Sequence, residues 1–138
     1  MLAPMAAPRL ATFRVDTMHP SLNAWSRKHP LAVATWKIEY ARWVAIAVQQ
    51  ARQAGTWDGQ PFDQADVIFI HHFAPGHRHD PDNVCPKFFA DSLVAEGVLV
   101  DDDFDHIDLH LLRGERSRPP WTEIRITPRP KGETDVRL

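Results

Sequence analysis

A single cysteine, Cys85, is present in 138 residues, so no internal disulfide can form and a reducing cytoplasm is the expected setting. The same scarcity weakens any zinc reading, because no cysteine pair accompanies the histidines. No apolar run approaches the length needed to span a bilayer. The first ten residues are proline-rich and lack the apolar segment of a secretion signal, so Met1 to Leu10 reads as a loose tail. None of the six glycines builds a glycine-rich phosphate loop. There is no internal repeat and no interdomain linker. One domain is expected over residues 11–128, with a second tail at 129–138. A chain of this length buries about two-thirds of its unfolded surface.

Charge of one sign is lacking only on average. The net charge is −2, which does not by itself fit a nucleic-acid partner. Its distribution does. Residues 1–57 carry +5, residues 58–112 carry −10, and residues 113–138 carry +3. The flanks can therefore offer a positive surface to phosphates while the middle concentrates acid.

That acidic middle is the informative part. Six aspartates fall between Asp80 and Asp103, with Lys87 the one basic residue among them. Carboxylates brought within a few ångströms repel, so folding them together requires protonation or a bound cation. In an extended stretch Asp80 and Asp82 share a face, and Pro81 keeps the residue before it out of helical geometry. Pro86 to Gly97 reads as a helix, with proline at its start and glycine at its end. Lys87 then sits in the first turn, against the helix dipole, where a phosphate would favour it. Asp91, one turn on, can steady it. Val98-Leu99-Val100 delivers Asp101 and Asp102.

Asp80-x-Asp82-Asn83, then Lys87-x-x-x-Asp91-x-Leu93, then Gly97-x-x-x-Asp101-Asp102 resembles the RusA family of Holliday junction resolvases. Pro20-Ser21-Leu22-Asn23 is similar to that family's early Pro-Ser-x-Asn turn. Together the matches cover residues 12–127. Two departures stand out: Lys87 follows Asp82 by five residues, one more than the family pattern, and Pro81 replaces an aliphatic residue. The extra residue falls in the loop before the helix, where insertions are tolerated. The resemblance implies Asp80, Asp82 and Asp102 as metal-binding carboxylates, with Asp101 a further ligand. It implies Lys87 as the catalytic lysine, Asn83 and Asp91 as supporting residues, and a 5′-phosphate product. Oxygen-only ligands favour Mg²⁺ or Mn²⁺ over Zn²⁺.

The remaining basic residues are candidate DNA contacts. Asn23, Arg27 and Lys28 lie in a loop spanning His19 to Pro30, beside Trp25. His77, Arg78 and His79 precede the acids as candidate phosphate contacts, and the two imidazoles would gain charge as the pH falls. Arg113, Arg116 and Arg118 crowd a turn between the last two strands. A calcium-loop reading of Asp101 to Leu112 fails, because His106 occupies the glycine position and Leu112 the closing acidic position.

Periodicity supplies the scaffold. Ala11 to Thr17, Asp66 to Phe73, Phe104 to Leu112 and Trp121 to Thr127 read as strands, the last two as a hairpin. Thr35 to Ala54 reads as the strongest helix, with Trp36, Tyr40, Trp43, Val44, Ala47, Val48 and Ala51 on one stripe for core or dimer packing. Thr56 to Gln64 reads as a polar turn. The order β-α-β-α-β-β predicts an α+β domain, a small mixed sheet with two helices packed on one side. Cutting both strands of a branched DNA asks for two sites, hence a two-fold homodimer. Two other functions fit part of the pattern: a junction-binding protein that has lost cleavage, and a metal-dependent nucleotide phosphohydrolase.

Overall fold

The computed structural model describes residues 9–76, 79–80 and 83–129. The class is α+β. Among the described residues four strands and three helices follow the order β1 (Ala11–Val15), α1 (Leu22–Ser26), α2 (Pro30–Ala54), β2 (Ala65–His72), α3 (Lys87–Ala95), β3 (Ile107–Arg113) and β4 (Trp121–Pro128). The sheet runs β1-β4-β2-β3.

Alternate strand residues face one core. Ala11, Phe13 and Val15 of β1, Ala65, Val67 and Phe69 of β2, Ile107 of β3, and Ile124 and Ile126 of β4 are all buried. Val44, Ala47, Val48 and Ala51 of α2, with Phe89 and Leu93 of α3, close over the same cluster. Burial of this apolar surface is the main favourable term in folding. Both long helices therefore share one side of the sheet. The aromatic half of the α2 stripe divides: Trp43 is exposed, whereas Tyr40 is partly buried against the core and stacks on Phe88 at 5.7 Å between ring centres.

The hairpin expected from the last two strands does not form. β2 pairs in parallel with β3 (Ala65↔Ile107 through His71↔Arg113) and antiparallel with β4 (His72↔Trp121 through Ala65↔Pro128). β2 is the most apolar strand and satisfies both of its edges, so β4 inserts between it and β1. β3 is left at the sheet edge, where Leu109, Leu111 and Leu112 are exposed and Ile107 alone is buried. Parallel pairing demands a crossover connection, and α3 supplies it.

Helix α2 starts five residues earlier than the stripe predicts. Pro30 takes its first position, and His29 caps it by accepting from the Leu31 amide at 3.2 Å. α1 forms where a loop was expected, because the Ser21 hydroxyl accepts from the Ala24 amide at 3.1 Å. The polar turn at 56–64 hides two core residues: Trp57 and Phe62 are buried, and Phe62 bridges to Leu99 in parallel. Arg9, expected within the N-terminal tail, holds Asp58 with two guanidinium bonds at 2.8 Å and lies over the Phe62 ring. At the far end Arg129 pairs with Asp108.

Gly114 is fixed by close approach. The His72 ring stacks on Trp121 at 4.0 Å and donates through Nδ1 to the Glu115 carbonyl at 2.8 Å. A Cβ on Gly114 would meet His72 Cε1 at 2.4 Å. Gly114→Ala should lose roughly 1–3 kcal/mol of stability through this overpacking. Urea denaturation measures the loss; an unchanged midpoint would show that the ring swings aside freely.

Candidate active site

Helix α3 carries the first part of the site. Lys87 opens it, after Pro86, with no side-chain cap at the helix start. Lys87 Nζ lies 3.5 Å from Asp91 Oδ2, one turn along. Both side chains are nearly half exposed, so the pair steadies Lys87 without contributing much stability.

The second part arrives from the far end of α3. Phe62 donates its amide to the Val98 carbonyl at 2.8 Å, and Val100 donates to the Phe62 carbonyl at 3.0 Å. This short ladder anchors Val98 to Val100 and sets where Asp101 and Asp102 emerge. Asp102 donates its amide to Asp101 Oδ1 at 2.8 Å. Its carboxyl is held above the usual carboxylate range, first by partial burial, then by Asp91, then by Asp101. Asp91, Asp101 and Asp102 thus form a crowded acidic group with Lys87 at its margin.

Asp101 also belongs to a second grouping. One ligand atom each from Asp101, Asp103 and His106 fall within 4.8 Å of one another. His106 hydrogen-bonds Asp103, which raises the imidazole and lowers the carboxylate. Sequence alone gives His106 no role; its offset from Asp103, three residues across a turn, is the available signal. Among the described residues this is the one such grouping, and neither Asp80 nor Asp102 is in it.

Asp80 lies on the other loop, before α3. Its carbonyl accepts from the Asn83 amide at 3.0 Å. Asn83 Oδ1 in turn accepts from the Asn23 amide at 2.9 Å, so the start of α1 holds the acidic loop across 60 residues of sequence. Met18, His19, Phe73, His79 and Asn83 line a cavity of about 140 Å³ with Asp80. Asp82, His77 and Arg78 lie outside the described residues.

The basic candidates divide by location. α1 docks on α3, Trp25 meeting the Phe88 ring edge-on at 6.3 Å, which brings Arg27 and Lys28 to that side. Lys28 Nζ sits 4.5 Å from the Trp36 ring centre, a cation–π contact that fixes it. Asn23 spends its amide on Asn83. His79 stacks on Phe73 at 3.9 Å. Arg113, Arg116 and Arg118 do not crown a hairpin. Arg113 ends β3 and lines a cavity of about 300 Å³ with His71, Phe73 and His79. The 114–120 connection folds back over the end of β2, Ser117 donating to the Phe73 carbonyl and Arg116 to the Ala74 carbonyl, both at 3.0 Å. Arg118 is exposed on that connection.

The chain matches no family model and no curated protein.

Crowding at Asp102 has a measurable sign. A carboxyl whose folded pKa is raised holds its proton more tightly folded than unfolded. Stability is then greatest below the usual carboxylate value near 3.8 and falls as the pH rises through the raised one. At pH 7 in chelator, Asp102→Asn should melt higher than the wild type by ~1–3 °C, a modest gain because the group is largely solvated. The gain should disappear at pH 3. Equal melting temperatures at pH 7 would show that the folded state does not disfavour the ionised Asp102.

Proposed function

We propose that the chain is a divalent-metal-dependent, structure-selective endodeoxyribonuclease of the RusA type, which nicks paired strands of branched DNA such as four-way junctions. One feature supports the reading: the Asp102 carboxyl is raised by partial burial and by its acidic neighbours Asp91 and Asp101, and Lys87 pairs with Asp91 beside it. Acids held this close favour a cation, and an oxygen-only donor set fits Mg²⁺ or Mn²⁺.

Asp102 and Asp101, with Asp80 and Asp82, are the residues to hold it. The bound ion would polarise the scissile phosphate and lower the pKa of a coordinated water. Lys87 supplies positive charge where the phosphorane oxygens develop negative charge. Asp91 keeps that ammonium in place, and Asn83 fixes the loop carrying Asp80. Arg27, Lys28, Arg113, Arg116 and Arg118, with His77, Arg78 and His79, contribute the phosphate-facing surface.

Two cuts on one junction require two sites, so the working unit is a two-fold homodimer. The exposed leucines on edge strand β3 support a self-association surface. No helix among the described residues is long and apolar enough to cross a membrane. With Cys85 a free thiol, we place the protein in the cytoplasm.

A synthetic four-way junction with Mg²⁺ or Mn²⁺ tests the reading. The wild type should give paired nicks bearing 5′-phosphates. Asp82→Asn should abolish nicking yet keep or tighten binding, since it removes repulsion from phosphate and preserves shape. Lys87→Ala should slow cutting by ~10²–10³-fold with little effect on folding. Junction binding by the wild type without any nick would instead make the chain a binding protein. Nucleotide turnover without DNA cutting would make it a phosphohydrolase.

A further inference from the structure

Behind the acidic loop, two buried histidines from distant parts of the chain meet ring to ring. His19 Nε2 and His71 Nε2 are 2.9 Å apart. His19 Nδ1 is 3.1 Å from the Pro20 carbonyl, and His71 Nδ1 is 3.0 Å from the Leu112 carbonyl. Carbonyl oxygens only accept, so each of those contacts needs a hydrogen on Nδ1. The Nε2–Nε2 contact needs one more. Three hydrogens are required, and two neutral imidazoles carry two.

The shortfall has one place to fall. His71 lies on β2, and its Nδ1–H reaches the neighbouring strand β3, whose register with β2 is fixed over seven residue pairs. His71 therefore keeps its hydrogen on Nδ1 and presents a lone pair at Nε2. His19 has a single hydrogen when neutral and two acceptors for it. Withholding it from His71 would set two lone pairs face to face in a buried space. Pro20 is only partly buried, so its carbonyl can turn to water instead. Pro20 leads directly into the Ser21 cap of α1 and the Asn23 amide that holds Asn83.

We propose that His19 and His71 form a proton-operated positioning pair: uptake of one shared proton completes all three hydrogen bonds and tightens the turn that leads to the Asn23–Asn83 hydrogen bond. Nothing in this depends on what the loop binds.

The surroundings set where uptake occurs. Burial is the largest influence and pushes His19 down to about 4, while its carbonyl partner acts in the opposite sense. His71 is lowered as well, by burial first. From β2 the pair faces His72, and from β3 Arg113; the loop brings His79 and Asp80. α3 presents the Phe89 ring, 5.4 Å from His19, and β4 the neutral Thr122, which donates to the Thr17 carbonyl. Imidazole and guanidinium neighbours oppose the added charge and Asp80 favours it, so uptake lies below the usual imidazole value near 6.5.

Long-range ¹H–¹⁵N spectra of the full chain, with labelled histidine, read the tautomer and charge of each ring through a pH titration. His71 should stay on the Nδ1–H tautomer, and the two rings should take up one proton with a common midpoint below ~6.5. The Asn23 backbone amide should shift with that midpoint in the wild type and in Asp80→Asn, which removes the nearby carboxyl as its source. His71→Gln, which keeps an amide but no titrating ring, should abolish that shift. Independent ring titrations, an Asn23 amide that ignores the common midpoint, or unfolding before any uptake would each overturn the proposal. Should His71→Gln fail to fold, the wild-type and Asp80→Asn titrations decide the matter.

Discussion

Parallel pairing of β2 with β3 is the constraint that arranges everything else. Two parallel neighbours cannot be joined by a tight turn, so the chain has to leave the end of β2, cross the sheet face and return to the start of β3. α3 is that crossing, packed on α2 and the core through Phe88, Phe89 and Leu93. Every acid in the candidate site lies on α3 or on one of the two loops that flank it. The rigid part of the domain thus fixes both ends of a segment whose own composition disfavours compaction.

Two neutral contacts anchor that segment at its two ends. The Phe62–Leu99 bridge anchors the loop with Asp101 and Asp102 from below. The Asn23–Asn83 hydrogen bond anchors the loop with Asp80 from the side. Lys87 offsets one carboxylate, Asp91, and leaves Asp102 crowded. A fold built only for stability would replace such a cluster with apolar residues, since like charges in proximity oppose folding. Strain of this kind is common where a site must accept a cation or reshape a proton equilibrium. The buried histidine pair sits one layer further in and touches the same clamp from behind.

Charge separation along the sequence survives in three dimensions. The acidic middle becomes α3 and its loops, while cationic side chains come from α1, the end of β3 and the connection that follows. Trp25 on Phe88 and the return of residues 114–120 over β2 bring both basic flanks to the acidic segment's surroundings. The overall charge near zero conceals this arrangement.

Elements with strong local signals were legible from the residues alone. Helix α3 announced itself by Pro86 and Gly97, β2 by its β-branched and aromatic run, and the later part of α2 by apolar spacing. The early part of α2 was hidden because its cap is His29, a residue seldom used there. Trp57 and Phe62 were masked by the polar residues around them, and only their burial against α2 and Leu99 shows their weight. The pairing of β4 was not legible at all. Sequence nearness favoured a hairpin with β3, whereas the open edge of β2 beside β1 satisfied more backbone groups. So the sequence by itself determined which residues are acidic, which segments other than α1 are helix or strand, and that the acids come in two clusters around one helix. Tertiary structure alone decided that His19 meets His71, that Asn23 holds Asn83, and that Asp91 crowds Asp102. Those contacts join residues whose partners are chosen by how the strands stack, and no local pattern encodes that choice.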